Sequence, residues 1–340
     1  MKNIPSRVIK RIKTKVRFQK KKVQCPVKWG IMGTGYMAET FSSAIDGNLN
    51  GKVFAVASRT IEKAKKFSKK HGDCYAYGSY EELAKNSDID VIYIATPTKY
   101  HYDHIKICLL HGKNVICEKL ITSNANQLKE LISIAKEKKC FFMEGMWMKC
   151  LPTYQKAKEW IQENRIGLVE LIRTDFYKLE KINTDYAIFN KDMDGGVLKD
   201  YGVYALAFPL GFMNEIVDFS YKKRYSKYGI DSDWTIAMFD GKIQALVNIS
   251  SNFTGISKAA VIGKEGSIGW EAPFNRTNTI ILYDANGNAV DKFSVHYEYE
   301  GFEYEINEVQ KCIRDGLLES PQISLSSSLA TIEMIDKLIN

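Results

Sequence analysis

Three groups of residues have types and spacings suited to chemistry on a polar carbon. The first is Lys119, which follows Glu118 at the end of the apolar run Val115-Ile116-Cys117. A lysine leaving a buried strand can hold an ammonium near a substrate oxygen; the plainer alternative is a strand-end lysine that reaches solvent. The second is Gly195-Gly196-Val197-Leu198-Lys199-Asp200-Tyr201-Gly202-Val203-Tyr204. Asp200 and Tyr204 are four apart, so a helix places them on one face, where a carboxylate and a phenol can orient a substrate hydroxyl and a proton donor. The competing reading makes Asp200 a structural acceptor and Tyr204 a packed aromatic. The third is Gly33-Thr34-Gly35-Tyr36-Met37-Ala38, directly after the strand-like Val27-Lys28-Trp29-Gly30-Ile31-Met32.

That third run suits a dinucleotide. Gly33 permits a tight turn, Gly35 lets backbone N–H groups approach a pyrophosphate, and Ala38 is small enough for a helix to pack closely on the strand. A glycine triplet alone is weak evidence, because glycine also marks ordinary turns. Here a strand precedes it and a helix follows. The second strand ends in Ser58-Arg59-Thr60 with no acid to take a ribose 2′-hydroxyl. Arg59 can pair with a 2′-phosphate and Ser58 can donate to it, which favours NADP(H) over NAD(H). Arg59 stacked on adenine or free in solvent is the alternative. The loop Ala95-Thr96-Pro97-Thr98 leaves the fourth strand where a cofactor would lie.

The elements that must position these groups are legible. From Val27 to about Glu144, short apolar strands (53–57, 91–95, 115–117, 141–143) alternate with helical stretches (61–70, 102–110, 127–138). Continuous apolar strands separated by helices imply a parallel sheet covered on both faces, doubly wound by the right-handed crossover rule. After Pro152 the character changes to a helix (153–164), a strand (168–177), an irregular loop and a helix from about Val197 to Met213. Strand-like runs at 217–225, 234–239, 243–249, 259–262 and 279–283 follow, separated by turns such as Asp240-Gly241 and Asn286-Gly287. Terminal helices are expected at 302–317 and 326–339. The fold class is α/β: a Rossmann domain at 26–148, then an α+β domain at 149–340 with a large, mostly antiparallel open sheet.

Composition narrows the function. The net charge is +8, but residues 1–22 hold ten Lys or Arg and no acid, and subtracting those ten leaves −2. The body has no basic footprint for nucleic acid. Residues 1–25 form a basic arm without the apolar stretch of a secretory signal. Its Ile4, Val8, Ile12 and Val16 would make one stripe on a helix, suited to an anionic membrane or an acidic partner; a solvated or oligomer-contacting extension is favoured. Seven scattered cysteines, with no C-x-x-C pair, read as buried thiols of a cytoplasmic protein. His101 and His104 have no partner at metal-ligand spacing, so no metal is expected.

Together, Gly33-x-Gly35-x-x-Ala38, Ala95-Thr96-Pro97, Glu118-Lys119 and Gly195-Gly196-(x)3-Asp200-x-Gly202-x-Tyr204 resemble the glucose–fructose oxidoreductase / inositol dehydrogenase (Gfo/Idh/MocA) family. The resemblance covers essentially everything after the arm. Tyr204, Glu144-Gly145-Met146-Trp147 and Glu319-Ser320-Pro321 resemble its dihydrodiol dehydrogenase-like branch. It implies reversible hydride transfer between a nicotinamide and a carbinol carbon, and a homo-oligomer, dimer or tetramer, commonly paired through the open sheet. Carried over, Lys119, Asp200 and Tyr204 are catalytic, with Tyr204 where many relatives have His. Trp147 joins them as a substrate wall, a core tryptophan being the alternative. Cofactor contacts are expected at Gly33, Gly35, Tyr36, Met37, Ser58, Arg59, Thr96, Pro97, His101, Glu118 and Lys119. Lys119 would stabilise charge on a carbonyl oxygen and lower the pKa of Tyr204, the proton donor. Two departures stand out: Leu120 replaces the family's proline after the lysine, which would loosen that turn, and Lys149-Cys150 replaces an Arg-Phe, which would change the substrate wall. A sugar or nucleotide sugar is the first substrate class and a dihydrodiol or xylose the second. A non-catalytic NADP(H)-binding regulator is the reading from another class.

Overall fold

Val27–Met32 (β1) is almost wholly buried, which requires a strand flanked on both edges and covered on both faces. The computed structural model describes residues 26–340 except 48, 49, 181–186, 191, 192 and 194. The basic arm and its amphipathic stripe therefore lie outside the described residues. After β1 come α1 (Tyr36–Gly47), β2 (Gly51–Ala57), α2 (Ile61–Ser68), β3 (Tyr75–Tyr77), α3 (Tyr80–Lys85), β4 (Val91–Ile94), α4 (His101–Leu110), β5 (Asn114–Glu118), α5 (Ala125–Lys138) and β6 (Phe142–Gly145). These strands form one parallel sheet in the order β3-β2-β1-β4-β5-β6. The direction of winding reverses between β1 and β4, and ligands of such sheets bind outside the strand ends there.

The second half begins with α6 (Pro152–Gln162) and β7 (Val169–Tyr177). A π-helical turn, Leu198–Gly202, runs directly into α7 (Val203–Leu210). Then follow β8 (Asp218–Tyr225), β9 (Asp231–Phe239), β10 (Gln244–Ser250), β11 (Ala259–Gly263), β12 (Gly266–Trp270), β13 (Thr279–Asp284) and β14 (Ala289–Ser294). Eight strands form one sheet, β14-β13-β12-β11-β7-β10-β9-β8, antiparallel except for the β7–β10 pair. Along β7, buried Ile172, Thr174 and Phe176 alternate with more exposed neighbours, and Thr174 Oγ1 donates to the Ala205 carbonyl oxygen of α7 (2.9 Å). One face of this sheet thus carries the motif helix.

The last helices, α8 (Phe302–Arg314) and α9 (Leu325–Ile339), return to the first sheet. Phe302 meets Phe41 of α1 edge to face (5.9 Å, 76°). Asp336 of α9 accepts from the Ala125 backbone N–H at the start of α5 (2.8 Å), and Lys129 pairs with Glu333 (2.7 Å). Sequence position alone did not anticipate that the chain's end would brace its beginning. Among the described residues no helix is long and apolar enough to cross a membrane.

Candidate active site

Lys119 ends at the mouth of β5, immediately after buried Glu118. Its ammonium donates to Asp200 Oδ1 (2.5 Å) and to the Asp200 carbonyl oxygen (3.0 Å). Two of its three N–H donors therefore go to one residue. The same ammonium lies 5.4 Å from the centroid of the Tyr204 ring. Tyr204 Oη accepts from Trp147 Nε1 (3.0 Å). An indole nitrogen only donates, so this bond leaves the phenol's own proton uncommitted. Trp147 stacks on Phe302 (4.5 Å, 17°), so α8 supports the tyrosine from behind. Phe176 of β7 lies parallel to both Tyr201 (5.2 Å, 3°) and Tyr204 (6.4 Å, 18°). The structure thus brings Lys119, Asp200, Tyr204 and Trp147 together. Trp147 is only 8 % exposed and spends its N–H on the tyrosine, so it offers little open wall to a substrate.

Electrostatics around the phenol differ from the sequence expectation. Burial raises the Tyr204 pKa well above the usual phenol value, and nearby Glu118 adds to the rise; the Trp147 bond opposes it. Burial governs the phenol even with the Lys119 ammonium 5.4 Å from the ring centroid, so the expected lowering by the ammonium is not what the site shows. Tyr204 is a protonated acid here. Glu118 and Glu144 are themselves pushed up by burial. Each has a donor: Tyr93 Oη gives to Glu118 Oε1 (2.5 Å), and Ser328 Oγ to Glu144 Oε2 (2.7 Å). Fully buried Glu305 of α8 has no hydrogen-bond partner on either oxygen among the described residues, and burial, with Glu118 nearby, pushes its carboxyl well above the usual carboxylate range.

A cleft of about 860 Å³ opens beyond the first sheet. Gly33, Gly35, Tyr36, Met37, Ser58, Arg59, Thr96 and Pro97 line it. Its residues fit a dinucleotide on structural grounds. Gly33 has φ +110°, and a Cβ there would sit 2.9 Å from the Ala95 carbonyl oxygen. A Cβ at Gly35 would meet nothing within 4 Å, so the backbone faces open space at the start of α1. The first N–H groups of a helix have no internal acceptor and suit phosphate. Sequence reasoning missed Lys63, Tyr80, Tyr100 and His104 on the same wall. Lys63 was findable: it lies four residues after Arg59, and Lys63, Lys66, Phe67 and Lys70 recur at helical spacing along one face of the cleft. Burial holds His104 down to about 4, so it faces the cleft uncharged.

Of the expected cofactor contacts, His101, Glu118 and Lys119 do not line this cleft. His101 is buried, with Nδ1 against the Leu120 carbonyl oxygen (2.8 Å) and Nε2 against that of Thr96 (2.6 Å). It joins the β4 loop to the Lys119 turn instead of touching a ligand. That contact also corrects the expectation of a loosened turn. Leu120 is buried, the Lys119–Leu120 peptide is cis, and Glu144 accepts from the next N–H (3.3 Å). Lys149 is buried, donates to Ser327 Oγ of α9 (3.2 Å), and is lowered to about 8 by burial.

Residues 27–146 match the oxidoreductase family with an NAD-binding Rossmann fold, and residues 154–269 match the GFO/IDH/MocA C-terminal domain. The chain belongs to the Gfo/Idh/MocA oxidoreductase family. It is 35 % identical over 320 residues to a trans-1,2-dihydrobenzene-1,2-diol dehydrogenase of Xenopus laevis, covering 90 % of this chain and 95 % of that protein. The human protein of the same name is 28 % identical, over 92 % and 95 %. The fold is shared with a 3-ketoreductase from Actinomadura kijaniata (TM-score 0.80, 20 % identity, 92 % and 96 % covered). It is shared equally with an NAD binding oxidoreductase from Klebsiella pneumoniae (TM-score 0.80, 19 %, 92 % and 95 %). The chain is an NAD(P)-dependent oxidoreductase.

With its pKa raised, Tyr204 keeps its proton from acid through neutral pH and loses it only above about pH 10. An ultraviolet difference titration of wild type against Tyr204→Phe should show no Tyr204-dependent tyrosinate below that pH. A tyrosinate signal at neutral pH, absent from the variant, would contradict this environment.

Proposed function

We propose that this enzyme interconverts a secondary alcohol and a ketone on a ring-shaped polyol, with NADP(H) as hydride carrier. The observation that carries the reading is the Lys119 ammonium, at the end of β5 of the first sheet, lying 5.4 Å from the ring of Tyr204 on α7, a helix packed on the second sheet. Gly33, Gly35 and the start of α1 would hold the pyrophosphate; Ser58, Arg59 and Lys63 would hold a ribose 2′-phosphate. The nicotinamide, when bound, supplies or takes the hydride at the substrate carbon.

The chain's own residues do the rest. In reduction, negative charge grows on the carbonyl oxygen, and the third N–H of Lys119 stabilises it. Tyr204 donates the proton, and Trp147 Nε1 steadies the phenolate that remains. Asp200 fixes Lys119 and keeps an exposed carboxylate oxygen for a neighbouring hydroxyl. A vicinal diol suits both anchors. A cyclic diol, such as the relatives' names specify, offers both hydroxyls in fixed positions and is the first reading. A sugar is the second reading, favoured by the Asp200 carboxylate.

Tyr204→Phe should lower kcat roughly 10²–10⁴-fold. NADPH affinity should survive, and stability should fall by about 1 kcal/mol, because the Trp147 N–H loses its acceptor. Steady-state NADPH consumption with cyclic diols, their ketones and aldoses measures this; turnover near wild type would remove Tyr204 from the mechanism. Arg59→Ala should weaken NADPH binding by roughly 10- to 100-fold, the range of a charge-assisted phosphate contact, while NADH changes little. Equal losses for both cofactors would refute the 2′-phosphate assignment.

A further inference from the structure

Asp231, at the first position of β9, lies outside every motif named above, yet it grips the one that carries Asp200 and Tyr204. Its Oδ2 accepts from the Leu198 backbone N–H (2.9 Å) and from Trp234 Nε1 (2.7 Å). Leu198 opens the π-helical turn, and the Asp200 N–H closes back on the Gly196 carbonyl oxygen (3.2 Å). Gly196 has φ +137°, and a Cβ there would lie 2.2 Å from Asp231 Oδ1. The second glycine of the Gly-Gly pair is therefore a recess that admits this carboxylate. A side chain at position 196 would both strain the backbone and expel Asp231. Carboxylate charge at the head of the turn also meets N–H groups that lack internal acceptors.

We propose that Asp231 is a positioning residue for catalysis: by anchoring the head of the motif turn to β9, it sets where Asp200 holds the Lys119 ammonium and where Tyr204 presents its proton. The chain of contacts is continuous. Asp231 holds Leu198, the turn it starts delivers Asp200, and Asp200 takes two donors of Lys119. Trp234 does not belong to that path. Its N–H shares the carboxylate but ties it only to the body of β9. A single π-helical turn at the head of a helix is a rare geometry that recurs at functional sites, and here Asp231 holds its first residue.

The inference rests on the catalytic reading of Lys119 and Tyr204, so its test carries one readout independent of turnover. In Asp231→Ala, kcat should fall roughly 10- to 100-fold, as expected for reacting groups displaced by about an ångström. The NADPH dissociation constant, from fluorescence titration, should stay within about twofold of wild type. Trace acetylation of the cofactor-free protein, read by mass spectrometry, should modify Lys119 several-fold faster once its clamp is loosened. Asp231→Asn, whose carbonyl oxygen still accepts both donors, should restore most of the lost kcat. Trp234→Phe should leave kcat close to wild type. A kcat for Asp231→Ala within about twofold of wild type would overturn the proposal. So would a loss in Trp234→Phe as large as in Asp231→Ala, since that would trace the effect to a loosened β9. If wild type turned over no carbonyl or diol, the catalytic reading would fail while the Lys119 labelling still reported on the anchor.

Discussion

An ammonium held from two sides by one residue is the constraint on which the rest of the site depends. Lys119 leaves the first sheet and Asp200 rides on a helix carried by the second, 81 positions later in the chain. A lysine side chain has many rotamers and loses most of that freedom when fixed, so a single contact would leave it poorly aimed. Bonding to both the carboxylate and the carbonyl of Asp200 supplies direction as well as charge. It also couples the two halves at the point where a reacting carbon must lie. The turn that begins at Lys119 is held in turn by His101 and Glu144, so the lysine is braced from its own side as well.

The phenol is governed by an opposite tendency. Tyr204 is surrounded by aromatic rings and lies near buried carboxyls, an environment that penalises tyrosinate and so keeps the proton in place. Glu305, buried without a hydrogen-bond partner among the described residues, is pushed toward the neutral acid, because an isolated carboxylate in that position would cost several kcal/mol. Reduction asks Tyr204 to give its proton to an alkoxide, a far stronger base. A donor that stays protonated until an alkoxide forms suits that direction. The Trp147 N–H then offers the phenolate a bond it already holds. One acid is thus kept loaded by burial and relieved by a single indole.

Much of this was legible before any coordinates. The parallel sheet followed from apolar strands separated by helices, and Gly33, Gly35, Ser58 and Arg59 declared a phosphate-binding crevice by type and spacing. Asp200 and Tyr204 could be paired by helical period, although the turn between them is π-helical rather than α-helical. The misses have physical causes. Strand β12 (Gly-Ser-Ile-Gly-Trp) hides behind its glycines, and Gly266 is needed because a Cβ would meet the Tyr283 carbonyl oxygen at 2.3 Å. Strand β14 is an edge strand with no buried residue, so no apolar alternation marks it. His101 is expected at the cofactor from the resemblance; only the fold shows both its nitrogens facing backbone carbonyls. Trp147, Glu305 and Asp231 act through contacts distant in sequence, which no local pattern records.

Convergence of the two groups on one oxygen is tested most directly by a double-mutant cycle in kcat/KM on Lys119→Met and Tyr204→Phe. Groups that act as a unit on one transition state are strongly non-additive. The double variant is therefore expected to be little worse than the more damaged single variant. Losses that multiply in full would mean that the ammonium and the phenol act independently, and the shared site would not exist.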